Sequence, residues 1–124
     1  MKLTDLAILD WVLINNTPHR IQAIDSIDAE ILADDDLYYV GEDRCHSEDK
    51  IEGIPITPEI LEKNGWWYDV EDMWLHDEVD FGIERRNGGF QCYNINQIKL
   101  DSVHQLQQTL RLCGLNELAD NFKI

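Results

Sequence analysis

The side chains best suited to chemistry in this chain sit in one short stretch. Trp66, Trp67, Tyr68 and Trp74 are set among Asp69, Glu71 and Asp72. Neighbouring side chains on a strand point to opposite faces, so Trp66 and Trp67 cannot both face inward if the stretch is extended. At least one ring is therefore expected at the surface or at an interface. Tryptophan is enriched among interface hot spots, where truncation costs about 2 kcal/mol or more. An aromatic anchor with an acidic rim fits a basic protein surface, because the rim speeds encounter and the ring supplies affinity. The partner-binding set expected on this ground is Trp66, Trp67, Trp74, Asp69, Glu71 and Asp72. The plainer alternative packs Trp66 on a helix over 57–64 and lays Trp67 flat on a sheet edge or under a neighbouring loop.

Other chemistry is less well provided for. Cys45-His46, with Glu42, Asp43, Glu48 and Asp49 around it, is the stretch richest in metal ligands. Zinc sites use about four converging ligands, commonly in paired spacings. Here there is no second pair, and His19, His76, His104, Cys92 and Cys113 are scattered singly. The carboxylates of Asp34-Asp35-Asp36 and of the stretch 69–80 could hold hard cations, but neither has the register of an EF-hand loop. No metal and no cofactor are expected. There is no GxSxG motif, and of the three serines Ser102 is read as a helix cap. Cys92 and Cys113 fall on apolar faces, where a thiol is usually an inert small hydrophobe. A Cys92–His104 dyad is the one conceivable nucleophilic pair, and no catalytic residue is assigned. Gly88-Gly89 stands in a hairpin rather than before a helix, so it is no phosphate loop.

Charge narrows the partners. The net charge is −15, with 22 acids against 5 bases in residues 1–84 and 3 against 5 in residues 85–124. Such a surface repels bare phosphate backbones, whose affinity for proteins comes largely from cationic neutralisation. Direct nucleic-acid binding would need Arg85, Arg86, Lys99 and Arg111 on one face, and is not expected. Solubility alone is a sufficient cause of the charge. No apolar run of about eighteen residues is present, so no membrane span is expected. The opening MKLTDLAILDW is interrupted by Asp5 and Asp10 and makes a poor signal peptide. Three cysteines without a CxxC spacing argue against a disulfide framework. A cytoplasmic protein with reduced thiols is the expectation.

At 124 residues and 44% apolar, the chain is expected to form one compact domain, or two lobes, 1–53 and 54–124, sharing a core. The elements that must position the aromatic stretch are mostly strands. Residues 11–14, 19–24, 27–31 and 37–40 read as strands separated by Asn15-Asn16-Thr17-Pro18, Asp25-Ser26 and the acids 34–36. They make an antiparallel meander or a small SH3-like barrel. Residues 41–53 lack periodicity and read as a loop. Thr57-Pro58-Glu59 opens a helix that Asn64-Gly65 closes. Strands then follow over 66–68, 73–75 and 79–85, and Asn87-Gly88-Gly89 turns the chain into another that starts at Phe90.

Ser102 with Gln105 forms a capping box, and Val103, Leu106, Leu110 and Cys113 share one face of the helix it opens. Leu112 widens that face, while Gln105, Gln107, Gln108 and Arg111 fall elsewhere. Gly114 sits where a left-handed residue ends a helix, with Leu115 placed to pack back. The fold class expected is α+β: a β-rich N-terminal part, a short helix, a second β-meander and a C-terminal helix packed on the sheet.

IPITPEILEKNGW (54–66) and the Gly88-Gly89-Phe90 turn leading to IKLDSVHQLQQTLRLCG (98–114) carry a resemblance. Together they resemble a family of short, uncharacterised acidic proteins of gut anaerobes and their phages or mobile elements. Its members share a "PLTEEIL…GF" helix, a two-glycine hairpin and a "VHQLQN" terminal helix. Asp10-Trp11-Val12 is similar to their opening, while Gln108-Thr109-Leu110 departs from a position where members often carry an aromatic. The resemblance implies a fold precedent and an accessory or mobile-element origin, and it transfers no functional residue.

The function expected is that of a small acidic, non-enzymatic, protein-binding module, adaptor- or inhibitor-like, including one that mimics nucleic acid. The alternative is a small hydrolase-like enzyme with a cleft between the β-rich body and the C-terminal helix. That alternative needs a pocket of convergent titratable groups with perturbed pKa values.

Overall fold

The computed structural model describes residues 6, 7, 9–24, 29–33, 36–40, 51–86, 88–93 and 98–124, and of 22–24, 29–33 and 36–40 only the backbone. The chain divides into two compact units, Met1–Ile54 and Pro55–Ile124. Both contain antiparallel sheet, and the fold is α+β.

The first unit contains β1 (Trp11–Ile14), β2 (Thr17–Ile24), β3 (Ala29–Ala33), β4 (Asp36–Val40) and β5 (Ile51–Gly53), in the order β4-β3-β2-β1-β5. Asn15 and Asn16 both take positive φ, 52° and 62°, and join Ile14 to Thr17 as a two-residue turn. Asparagine tolerates that conformation, and such a turn matches the twist of its strands. The turn is shorter than expected, because Pro18 already pairs with Leu13 inside β2. Pro18 has no N–H to give a second neighbour, and β3 pairs with β2 only from Arg20 onward. Val12, Ile14, Ile21 and Ile51 are buried. β1 to β4 run as a meander and β5 crosses back to the other edge of β1; the described pairings do not show a closed barrel.

Residues 51–53 correct the expected loop over 41–53, since Ile51 pairs with Ile14 and Gly53 with Val12. A three-residue strand has too little periodicity to show, and a long-range neighbour makes it. Residues 41–50, with the Cys45-His46 pair, lie outside the described residues, as do Asp34, Asp35 and the Asp25-Ser26 connection.

The second unit contains α1 (Pro58–Lys63), β6 (Trp67–Tyr68), β7 (Met73–Leu75), β8 (Gly82–Arg86), β9 (Gly89–Tyr93), β10 (Lys99–Leu100), α2 (Val103–Leu112) and α3 (Asn116–Asp120). Its strands run in the order β10-β9-β8-β7-β6, a second meander. Thr57 caps α1, its hydroxyl accepting from the Ile60 N–H at 3.2 Å. The expected strand over 79–85 starts later, at Gly82, because 79–81 complete the turn out of β7. Arg86 pairs with Gly89 across the hairpin, and Gly88 sits at φ +80°.

Both longer helices end alike. Gly65 and Gly114 take positive φ, and the residue after each donates its N–H back to the carbonyl five residues earlier: Trp66 to Leu61 at 3.0 Å, Leu115 to Leu110 at 2.9 Å. This is the Schellman arrangement, which only a left-handed residue allows and glycine adopts without steric penalty.

Helix α2 adjoins β10 and buries Val103, Leu106 and Leu110. Gln105 completes its side of the capping box, the Oε1 accepting from the Ser102 N–H at 3.0 Å. Two expectations for this helix fail at its end. Cys113 is exposed and Leu112 is 85% exposed, because the chain turns away at Gly114 and the apolar face stops with Leu110. Gln107, expected outside, is buried because its Nε2 donates to the Ala119 carbonyl at 3.0 Å and ties α2 to α3.

Candidate functional site

The C-terminal glycine of α1 decides which tryptophan goes inside. Trp66 occupies the position after that glycine, whose side chain folds back toward the helix in this motif. It is 2% exposed, with its ring 5.2 Å from His76 and 5.9 Å from Phe81 between centroids. The next residue must point the other way, and Trp67 is 45% exposed. Trp74 lies on β7, flanked by β6 and β8, and is 5% exposed. The expectation that all three rings meet a partner is corrected. Trp66 and Trp74 belong to the core, and Trp67 is the ring presented.

Tyr68 lies on the core side of β6 but at its open edge, so its ring is exposed while standing edge-on to Trp74 at 5.3 Å. Its phenol oxygen accepts from the Asp72 N–H at 3.3 Å and lies 3.4 Å from Asp72 Oδ1. The Asp69 N–H donates to the Met73 carbonyl at 2.7 Å and closes a tight tip. Glu71 and Asp72 take φ of 64° and 57° to make that tip, a conformation costing about 1–2 kcal/mol for each such residue. The Arg85 N–H donates to the Asp72 carbonyl at 2.9 Å and helps hold the tip in place. Glu71, Asp72 and the apex residue Val70 are exposed, and Asp69 is half-buried.

His76 bridges this region to α1. Its Nδ1 accepts from the Glu78 N–H at 3.1 Å, which leaves Nε2 to carry the proton and donate to the Asn64 carbonyl at 3.1 Å. Sequence reasoning missed Val70 and Tyr93, both exposed. Tyr93 could have been found by carrying strand alternation across the hairpin at Gly88-Gly89.

The other candidates are used structurally. Ser102 Oγ lies 2.9 Å from His104 Nδ1, within nucleophile–base reach, but both are buried and satisfy each other. Burial, and behind it the neighbouring Cys113 thiol, push Cys92 up to about 11, so it stays a thiol at neutral pH. Of the four cations considered for nucleic acid, Arg85 lies over the Phe90 ring, and Arg86 and Arg111 meet Glu84 and Asp120 at 3.7 and 3.3 Å.

Among the described residues no group of three or more His, Cys, Asp or Glu converges as metal ligands do. No described helix is long and apolar enough to cross a membrane. An open cavity of about 320 Å³ is lined by Lys63, Asn64, Glu78, Glu117, Leu118, Asn121 and Lys123. Lys63 Nζ there donates to the Ile124 carbonyl at 3.1 Å. Comparison with protein-family models, curated proteins and solved structures returns no match to this chain.

Proposed function

We propose that this chain is a small acidic protein-binding module, adaptor- or inhibitor-like, that docks on a partner with a basic surface. One observation carries the reading: a half-exposed Trp67 stands in a stretch, 64–83, with six carboxylates and no lysine or arginine. The ring supplies buried area on docking, and the carboxylates steer a cationic partner. In this reading Asp69, Glu71 and Asp72, in the turn that follows the ring, form its acidic rim and stand in for the phosphates of a nucleic acid. A cytoplasmic setting and an accessory or mobile-element origin belong to the same reading.

The test is binding of the full chain to basic proteins at low and high salt. Salt-sensitive binding that Trp67→Ala weakens supports the reading. Failure to bind any basic protein at low salt overturns it.

A further inference from the structure

The outer face of the second sheet carries more than Trp67. Trp67 pairs with Leu75, the register of β7 with β8 sets Leu75 beside Gly82, and Gly82 pairs with Tyr93. Their successors or predecessors on the same strands, Trp74, Ile83 and Cys92, are buried on the inner face. Alternation therefore turns the row Trp67–Leu75–Gly82–Tyr93 outward. Trp67 and Tyr93, 45% and 47% exposed, stand at its two ends.

Between them Gly82 leaves a gap that its neighbours fill. A Cβ at Gly82 would lie 2.8 Å from Met73 Sδ and 3.2 Å from Leu75 Cδ2, so these two side chains lean across it. The result is a continuous apolar strip spanning four strands, about 14 Å at about 4.8 Å per strand. A helix with its side chains is about 10–12 Å across, so the strip can seat one apolar face of a bound segment.

The charge around the strip is negative at the two turns that flank β7, while β8 adds the exposed Arg86 beside Glu84. The turn Asp69–Asp72 closes one end of β7 and the turn holding Asp77, Glu78 and Asp80 closes the other. Glu84 is engaged by Gln91 at 3.1 Å and by Arg86 at 3.7 Å, and the exposed Lys99 lies at the far edge on β10.

We infer that this outer face is the docking surface and that its occupant is a cationic amphipathic segment of a partner protein. Its apolar residues lie along Trp67, Leu75, Met73 and Tyr93, and its lysines and arginines meet the carboxylates of the two turns. The inference rests on the reading that the chain binds a basic protein, and it adds the face and the partner's chemistry.

The experiment titrates the full chain into a labelled amphipathic Leu/Lys peptide, with a Leu/Glu peptide and a Ser/Lys peptide as counterparts. The Leu/Lys peptide is expected to bind, salt-sensitively, and better than either counterpart. Trp67→Ala and Tyr93→Ala should each weaken it by about tenfold or more, while Leu112→Ala, off this face, leaves it unchanged. Unchanged far-UV circular dichroism and melting confirm that the exposed-ring variants fold. Equal binding of the Leu/Glu peptide overturns the inference. So does Leu/Lys binding that both ring variants leave intact, although the broader reading then survives. If no cationic peptide or protein binds at low salt, both fail together.

Discussion

Asn64 grips the backbone of Lys123 with two hydrogen bonds of 2.7 Å, Nδ2 donating to the Lys123 carbonyl and Oδ1 accepting from its N–H. The same Nδ2 donates to the Ile60 carbonyl at 2.8 Å. One side chain therefore joins the end of α1 to the segment after α3. Asn64→Ala is expected to cost about 1 kcal/mol, since net hydrogen-bond contributions near the surface are of that size. The decisive readout is hydrogen exchange, in which the Lys123 amide should lose its protection while the amides of α2 keep theirs.

Gly65 and Gly114 allow one cost to be separated from another. Both have positive φ, but a Cβ on Gly114 meets nothing within 4 Å, whereas one on Gly65 would lie 2.8 Å from His76 Nε2. Gly114→Ala should cost about 1–2 kcal/mol, the left-handed penalty alone. Gly65→Ala should cost more. Urea denaturation of both variants, repeated with His76→Ala, checks this: the excess at position 65 should disappear once the imidazole is gone.

The two tryptophans of the β6–β7 pairing should separate stability from recognition. Trp74→Ala empties a buried site and is expected to cost about 3–5 kcal/mol. Trp67→Ala removes a half-exposed ring and should change stability by less than about 1 kcal/mol. Thermal and urea unfolding of both variants measure this. Equal losses would show that Trp67 is as much a core residue as its neighbour.

The thiols give a pH-dependent prediction. Cys92 is raised from its ordinary 9.0 to about 11 by burial first and by Cys113 second. A group raised on folding contributes stability that is whole below its unfolded value and disappears as pH climbs through its folded value. Stability should therefore fall between about pH 9 and 11, and Cys92→Ala should remove that part of the fall. Peptide mapping after alkylation at neutral pH should find Cys113 modified in the native protein and Cys92 protected until unfolding.

Local punctuation made much of the second unit legible in the sequence. Thr57-Pro58, Asn64-Gly65, Gly88-Gly89, Ser102 with Gln105, and Gly114 each impose a backbone conformation by themselves, and each stands at an element boundary. What depends on distant neighbours was harder to read. β5 exists because β1 offers it an edge, and Gln107 is inside because Ala119 offers a carbonyl. Alternation required one of Trp66 and Trp67 to face out but did not say which. The glycine at the end of α1 answers that, since the same reasoning that placed Leu115 after Gly114 applies to Trp66 after Gly65. Tyr93 escaped notice because its company on the outer face comes from three other strands.

The last strand of the second sheet, β6, is only two residues long and runs at once into the acidic tip at Asp69–Asp72. Short, charged borders are how soluble sheets discourage lateral growth. Two molecules brought together along this border would gain little main-chain pairing and would set carboxylates against carboxylates. This border should therefore resist edge-to-edge growth even when the protein is concentrated, and an aromatic flank can stay open to visitors without inviting copies of itself to join along it.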